Sequence, residues 1–184
     1  MNSRIETLVI MGYGAPRHPG QDTVLGSYLA AALKAAEASP GATILLCGGA
    51  TNNPSCTEAW AMHEWITYHR HELVNRCVQL GSEVSTKEVL LGLAGTMSGR
   101  GMAVACYDTH AWVVQLYLDE YFPKSGAQVI AIATPDGDRL RVRAKRAVAE
   151  ILEFVALYLI TAERARKALR WREIERARAR FAAE

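Results

Sequence analysis

The chain has 184 residues, with 21 Lys and Arg against 19 Asp and Glu, half of its residues apolar and 22% charged. This balance excludes a disordered, collagen-like or fibrous chain, and a length inside the usual range of roughly 100–200 residues per unit predicts a single core. The charge is unevenly placed: residues 161–184 hold eight basic and four acidic side chains, a net +4, whereas residues 1–160 carry −2.

The first apolar run, Thr7–Met11, predicts a strand, and the pattern from Thr23 to Ser39 a helix. A second strand follows at Ala42–Cys47, then a helix over Thr57–Arg70 and a weaker strand at Arg76–Leu80. A helix is expected over Ser85–Met97, a strand at Gly101–Cys106, a helix over Thr109–Phe122 and a strand at Ala127–Ala133. From about Arg139 to Phe181 no Gly or Pro interrupts a stretch rich in Ala, Leu, Arg and Glu, which predicts a long C-terminal helix. Strands that are apolar on both faces and alternate with helices imply an α/β fold, a parallel sheet covered on each side and joined by right-handed crossovers. The division expected is one α/β domain over residues 1–160 and a basic helical extension over 161–184.

Four cysteines (Cys47, Cys56, Cys77 and Cys106) form no C-x-x-C pair, as expected of reduced thiols rather than disulfides or a zinc site. The run Leu8–Met11 is too short for a signal-peptide core. Ile151–Ile160, broken by Glu153, falls far short of the ~20 residues that span a bilayer. The expectation is a chain with no transmembrane segment and a cytoplasmic location.

In a parallel sheet, ligands sit beyond the carboxyl ends of the strands. There the chain places Gly12-Tyr13-Gly14, Gly48-Gly49 and Tyr107-Asp108-Thr109-His110. Gly12 and Gly14 open a G-x-G, but position 17 is Arg17, so the dinucleotide fingerprint is absent. Gly48 and Gly49 allow a backbone to come close to a ligand, and a helix starting at Ser55-Cys56-Thr57-Glu58 would offer its N-terminal amides to an anion. The plainer reading is a turn followed by a capping box, since Ser55-x-x-Glu58 has that spacing, as does Ser85-x-x-Glu88. Asp108-Thr109-His110 serves either as a helix cap or as a general acid–base group with an orienting carboxylate. His63, His69 and His71 are expected on a solvated face, and Cys47 and Cys106 as buried thiols.

Taken in order, these pieces resemble the YdcF-like family, which includes the SanA and ElyC proteins. The resemblance rests on Leu8-Val-Ile-Met-Gly12, Ile44-Leu-Leu-Cys-Gly-Gly49, Thr57-Glu58-Ala59, Ser85-Thr86-Lys87-Glu88 and Asp108-Thr109-His110, and spans about residues 7–122. It departs at Cys47, where the family has Ser, at Val89 in place of Asn and at Val113 in place of Arg, which marks a divergent member with an altered ligand. The resemblance implies a three-layer Rossmann-like fold with a mostly parallel sheet of about five strands and a polar cleft holding Glu58, Thr86, Glu88 and His110. Many members carry a membrane anchor; this chain, starting directly at the first strand, is similar to the anchorless kind.

The ligand expected there is a small anionic or nucleotide-like molecule, such as S-adenosylmethionine or a phosphorylated metabolite. Gly12, Gly14, Gly48, Gly49, Thr86, Glu88 and Asp108 would bind it. His110 would be the general acid or base, with Glu58 as its carboxylate partner. No aspartate cluster suited to Mg²⁺ occurs at the strand ends. The alternative is a non-catalytic interaction or envelope-related regulatory protein whose cleft has lost its activity. Nucleic-acid binding is disfavoured, because Glu163, Glu173 and Glu175 interleave the tail's arginines in the manner of a salt-bridged helix face. A continuous 139–181 helix would run to about 65 Å, well beyond a body with a radius of gyration of ~16 Å, so its second half is expected to pack against another subunit in a homodimer.

Overall fold

The computed structural model describes residues 4–12, 19–21, 23–51, 53–82, 85–133, 148 and 151–152. The Gly14 position and the predicted helix from 139 to 181, apart from Val148, Ile151 and Leu152, lie outside them, as does the 161–184 extension.

The described chain runs β1 (Thr7–Met11), α1 (Thr23–Glu37), β2 (Thr43–Cys47), α2 (Glu58–His69), β3 (Cys77–Leu80), α3 (Thr86–Ala94), β4 (Met102–Tyr107), α4 (Ala111–Tyr121) and β5 (Gln128–Ile132). All five strands are parallel, in the order β3-β2-β1-β4-β5. This is the α/β, Rossmann-like arrangement expected, and all strands that the sequence predicts are present to within one or two residues.

Strand side chains alternate between faces, and that alternation builds two cores. Leu8 and Ile10 of β1, Ile44 and Leu46 of β2, and Ala103 and Ala105 of β4 pack under α1 and α2. Val9 and Met11, Leu45 and Cys47, and Met102 and Val104 pack under α3 and α4. The central strands are therefore buried on both sides, whereas β3 and β5 are edges: Val78 on β3 is 46% exposed. The first two crossovers lie on one face and the next two on the other, so the chain reverses its winding between β1 and β4. That boundary is where ligands of such sheets collect, at the carboxyl ends.

Arg76, taken from sequence only as the start of a strand, has a larger part. Its guanidinium donates to the carbonyls of Ala36 (3.1 Å), Ser39 (2.8 Å) and Ala42 (2.9 Å), at the end of α1 and the entry to β2. Of these carbonyls, that of Ala36 lies in the last turn of α1, where a helix leaves its carbonyls without an amide four residues on.

Two helix starts differ from the sequence reading. The cap of α2 is Thr57, whose Oγ1 accepts from the Trp60 amide at 3.0 Å, so Ser55-x-x-Glu58 is not a capping box. Asn53 is the reason: its Oδ1 accepts the Ser55 amide at 2.9 Å, which holds Ser55 in the preceding turn. At α4 the cap position is His110, with no side-chain cap bond, and Asp108 Oδ1 instead accepts the Thr109 amide at 2.8 Å. The second capping signal holds in part, since Ser85 Oγ accepts the Glu88 amide at 3.2 Å. No helix among the described residues is long and apolar enough to cross a membrane.

Candidate functional site

The carboxyl rim of the sheet carries Gly12 after β1, Gly48-Gly49 after β2 and Asp108-Thr109-His110 after β4, each on the rim position expected of it. The rim has two halves of different construction.

In the β1–β2 half the space left by the glycines is filled by the chain itself. Glu58 is the first residue of α2, is only 8% exposed, and turns its carboxylate back over the strand ends. A methyl group on Gly12 would overlap Glu58 Oε2 and stand 2.9 Å from the Cys47 carbonyl. One on Gly48 would stand 2.7 Å from the same Oε2 and 3.1 Å from the Gly12 Cα. Gly48 also adopts φ +149°, a conformation that side chains disfavour. The Thr51 hydroxyl donates to Glu58 Oε1. The amides of Glu58 and Ala59 donate to the Gly49 and Gly48 carbonyls at 3.1 and 3.0 Å, fixing the start of α2 on the turn.

Tyr28, which the sequence reading passed over, anchors the boundary between β1 and β4. The β1–β2 register runs to Met11 and Cys47, but the β1–β4 register stops one pair earlier, at Ile10 and Ala105. The fully buried Tyr28 hydroxyl reaches this split and shares its one proton between the Met11 carbonyl, at 2.8 Å, and the Ala105 carbonyl, at 3.1 Å. Burial holds the phenol well above its usual pKa, with Cys106, Tyr107 and Glu58 adding to the effect, so the group stays a neutral donor. Its ring lies 4.6 Å from that of Tyr107. A tyrosine on the apolar stripe of α1, between Leu25 and Ala32, is the sequence signal that could have found it.

In the second half the first turns of α3 and α4 meet. Thr86, the first residue of α3 and 8% exposed, has its Oγ1 2.6 Å from His110 Nε2. This bond joins residues 24 apart in sequence and ties the rim position after β4 to the start of α3. A hydroxyl and an imidazole in that contact can share or pass a proton, in a direction set by the His110 tautomer. The partner found for the His110 ring is thus Thr86, whereas Glu58 reaches over Gly12 and Gly48. Asp108 is half-buried, and Glu88 lies on the exposed side of α3.

Val89, Val113 and Cys47, where the sequence departs from the motifs it resembles, are buried. Val89 and Val113 are 4% and 1% exposed and sit in the core between α3, α4 and the sheet. Cys47 and Cys106 are buried there too, and none of the four cysteines forms a disulfide. Burial raises the Cys77 thiol to about 11. His63 is half-buried on α2, while His69 and His71 are exposed, the His69 ring lying 4.6 Å from that of Trp65. Among the described residues no three His, Cys, Asp or Glu side chains gather in a group that could hold a metal ion. No protein-family model, curated protein or solved structure matches the chain.

Proposed function

We propose that the chain is a divergent YdcF-like protein that binds a small anionic or nucleotide-like ligand at the carboxyl rim, with S-adenosylmethionine and phosphorylated metabolites as the first candidates. The observation that carries this reading is the Thr86–His110 bond, because it brings the first turns of α3 and α4 together with an imidazole at one place on the rim. Asp108 stands in the same turn as His110, and Glu58 occupies the neighbouring half. In any reaction at this rim His110 is the general acid or base, since its Nε2 already exchanges a hydrogen bond with a hydroxyl. The proposed setting is cytoplasmic, and the proposed assembly a homodimer formed through the C-terminal helix.

A thermal-shift panel of S-adenosylmethionine, nucleotides and sugar phosphates tests the reading. A ligand at 100 times its Kd adds about 2.7 kcal/mol, which for a chain of this size raises Tm by roughly 5–10 °C. His110→Ala is expected to abolish that response while leaving the ligand-free Tm within a few degrees. A panel without any response, or a response that His110→Ala leaves intact, overturns it.

The second reading is a non-catalytic interaction protein, and it draws on the apolar core positions of Val89 and Val113, where the family pattern has an amide and a cation. Under it, the panel is silent and a chain ending at Ile160 loses the self-association of the full chain in light scattering.

A further inference from the structure

The end of the domain opposite the carboxyl rim holds a hollow that the rim reading does not use. From the rim, α4 runs for 11 residues, about 16 Å, and passes the chain to β5 through a short turn. Between the last turn of α4 and this turn lies a cavity of about 320 Å³, at the small end of the range for small-molecule sites. Its floor is apolar, since the core residues Leu118 and Phe122 line it, and it opens beside the exposed Gly126, where a Cβ would meet nothing within 4 Å. Two exposed side chains of opposite charge, Asp119 and Lys124, line it without pairing. Asp119 accepts the Gln115 side-chain amide on Oδ1 at 2.8 Å and keeps Oδ2. Lys124 has no hydrogen bond or ion pair with any described residue. Alone among the described non-glycine residues, Lys124 also stands at a positive φ, +65°, a region that costs a side chain and that Gly126, at +73°, enters freely. Around it the Ser125 amide donates to the Phe122 carbonyl and the Ala127 amide to Ser125 Oγ, each at 3.1 Å. The turn thus holds a cation at the cavity in a backbone conformation that glycine would adopt more easily.

We propose that this cavity is a binding site for a small zwitterion, a free α-amino acid with an aliphatic side chain. The carboxylate of the ligand faces Lys124, its ammonium faces Asp119, and its side chain lies on Leu118 and Phe122. The last turn of α4 adds to the pull on the ammonium, because a helix ends in partial negative charge and Glu120 stands beside Asp119. A ligand of one sign would leave the other charge of the pair unanswered. The site lies at the far end of α4 from the Thr86–His110 bond, so it does not depend on what binds at the rim.

L-Leucine is the probe, followed residue by residue through amide chemical shifts of the full chain. It is expected to move the amides of Lys124, Ser125, Gly126 and Ala127 along a saturating curve and to leave those of Thr86 and His110 unmoved. An exposed charge contact is worth up to about fivefold in affinity. Leucinamide, which lacks the carboxylate, and N-acetylleucine, which lacks the ammonium, are therefore each expected to bind about fivefold more weakly than leucine. Lys124→Met is expected to hold leucine and leucinamide alike, and Asp119→Asn to hold leucine and N-acetylleucine alike. Both positions are exposed, so both variants should keep the fold. No movement of the turn up to about 50 mM leucine, movement at the rim alone, or equal binding of the three probes by the wild type overturns the proposal. A preference among the probes that survives both Asp119→Asn and Lys124→Met overturns it as well.

Discussion

The two halves of the carboxyl rim are assembled from similar sequence signals and end up as opposites. In the β1–β2 half, small residues leave a hollow and one buried side chain fills it, so each atom there is fixed by backbone contact. In the α3–α4 half, two polar side chains from distant turns meet, joined by a hydrogen bond at 2.6 Å. The first is a closed joint, intolerant of added volume. The second is a polar contact whose loss leaves both helices standing on their own cores. A Gly-Gly turn and a capping-box spacing thus do not specify whether a glycine hollow stays empty; the reach of the next long side chain does.

The closed half should break most severely under added volume. Gly12→Ala sets a methyl group against Glu58 Oε2 and the Cys47 carbonyl, and the backbone partner cannot move aside without disturbing the β1–β2 ladder. Forced overpacking typically costs roughly 1–3 kcal/mol, and the contact with backbone puts this case at about 3 kcal/mol. At roughly 2–4 °C per kcal/mol for a chain of this length, Tm should fall by roughly 6–12 °C in calorimetry. A fall of less than about 2 °C would show that Glu58 simply swings away and that the half is not closed.

The boundary between the halves should give an intermediate effect. Tyr28→Phe keeps the ring against Tyr107 but withdraws the donor from the Met11 and Ala105 carbonyls. Leaving buried acceptors without a partner costs roughly 1–3 kcal/mol. Chemical denaturation should therefore show a lower midpoint with an unchanged slope, because the same surface is exposed on unfolding. An unaltered midpoint would mean that the strand split is held by the ladders alone.

The fold was legible because its signal is local and repeated. Five apolar runs, each followed by a turn and a 3.6-residue pattern, restrict the chain to a covered parallel sheet. The rim positions followed from that, because a residue just after a parallel strand has nowhere else to go. That Thr86 and His110 share the rim was expected from the resemblance, but which of the rim residues bond to one another was not legible. Glu58 was read as half of a capping box since Ser55 stands three residues before it; the Asn53 turn that shifts the cap to Thr57 depends on a side chain choosing a backbone amide. The Thr86–His110 contact depends on the rotation of α3 and α4 about their axes, which is set by Val89, Leu90, Val113 and Val114 finding the core. Arg76 and Tyr28 act on carbonyls of segments far away in sequence, and nothing beside them in the chain signals that task.

The α3–α4 half should give the smallest effect on stability. Thr86→Val replaces the hydroxyl by a methyl group of nearly the same size in a position that is already buried, so packing under α3 is kept. What is lost is the bond to His110, a net contribution of about 0.5–1.5 kcal/mol. The His110 ring is half-buried, so water can take over as its partner at little further cost. The expected fall in Tm is roughly 1–6 °C, below that of Gly12→Ala. The same variant should nevertheless weaken any ligand response of the rim, because His110 loses the group that orients its ring. Destabilisation by Thr86→Val as large as that by Gly12→Ala would mean that the Thr86–His110 bond is a structural clamp, and the two halves would then be alike.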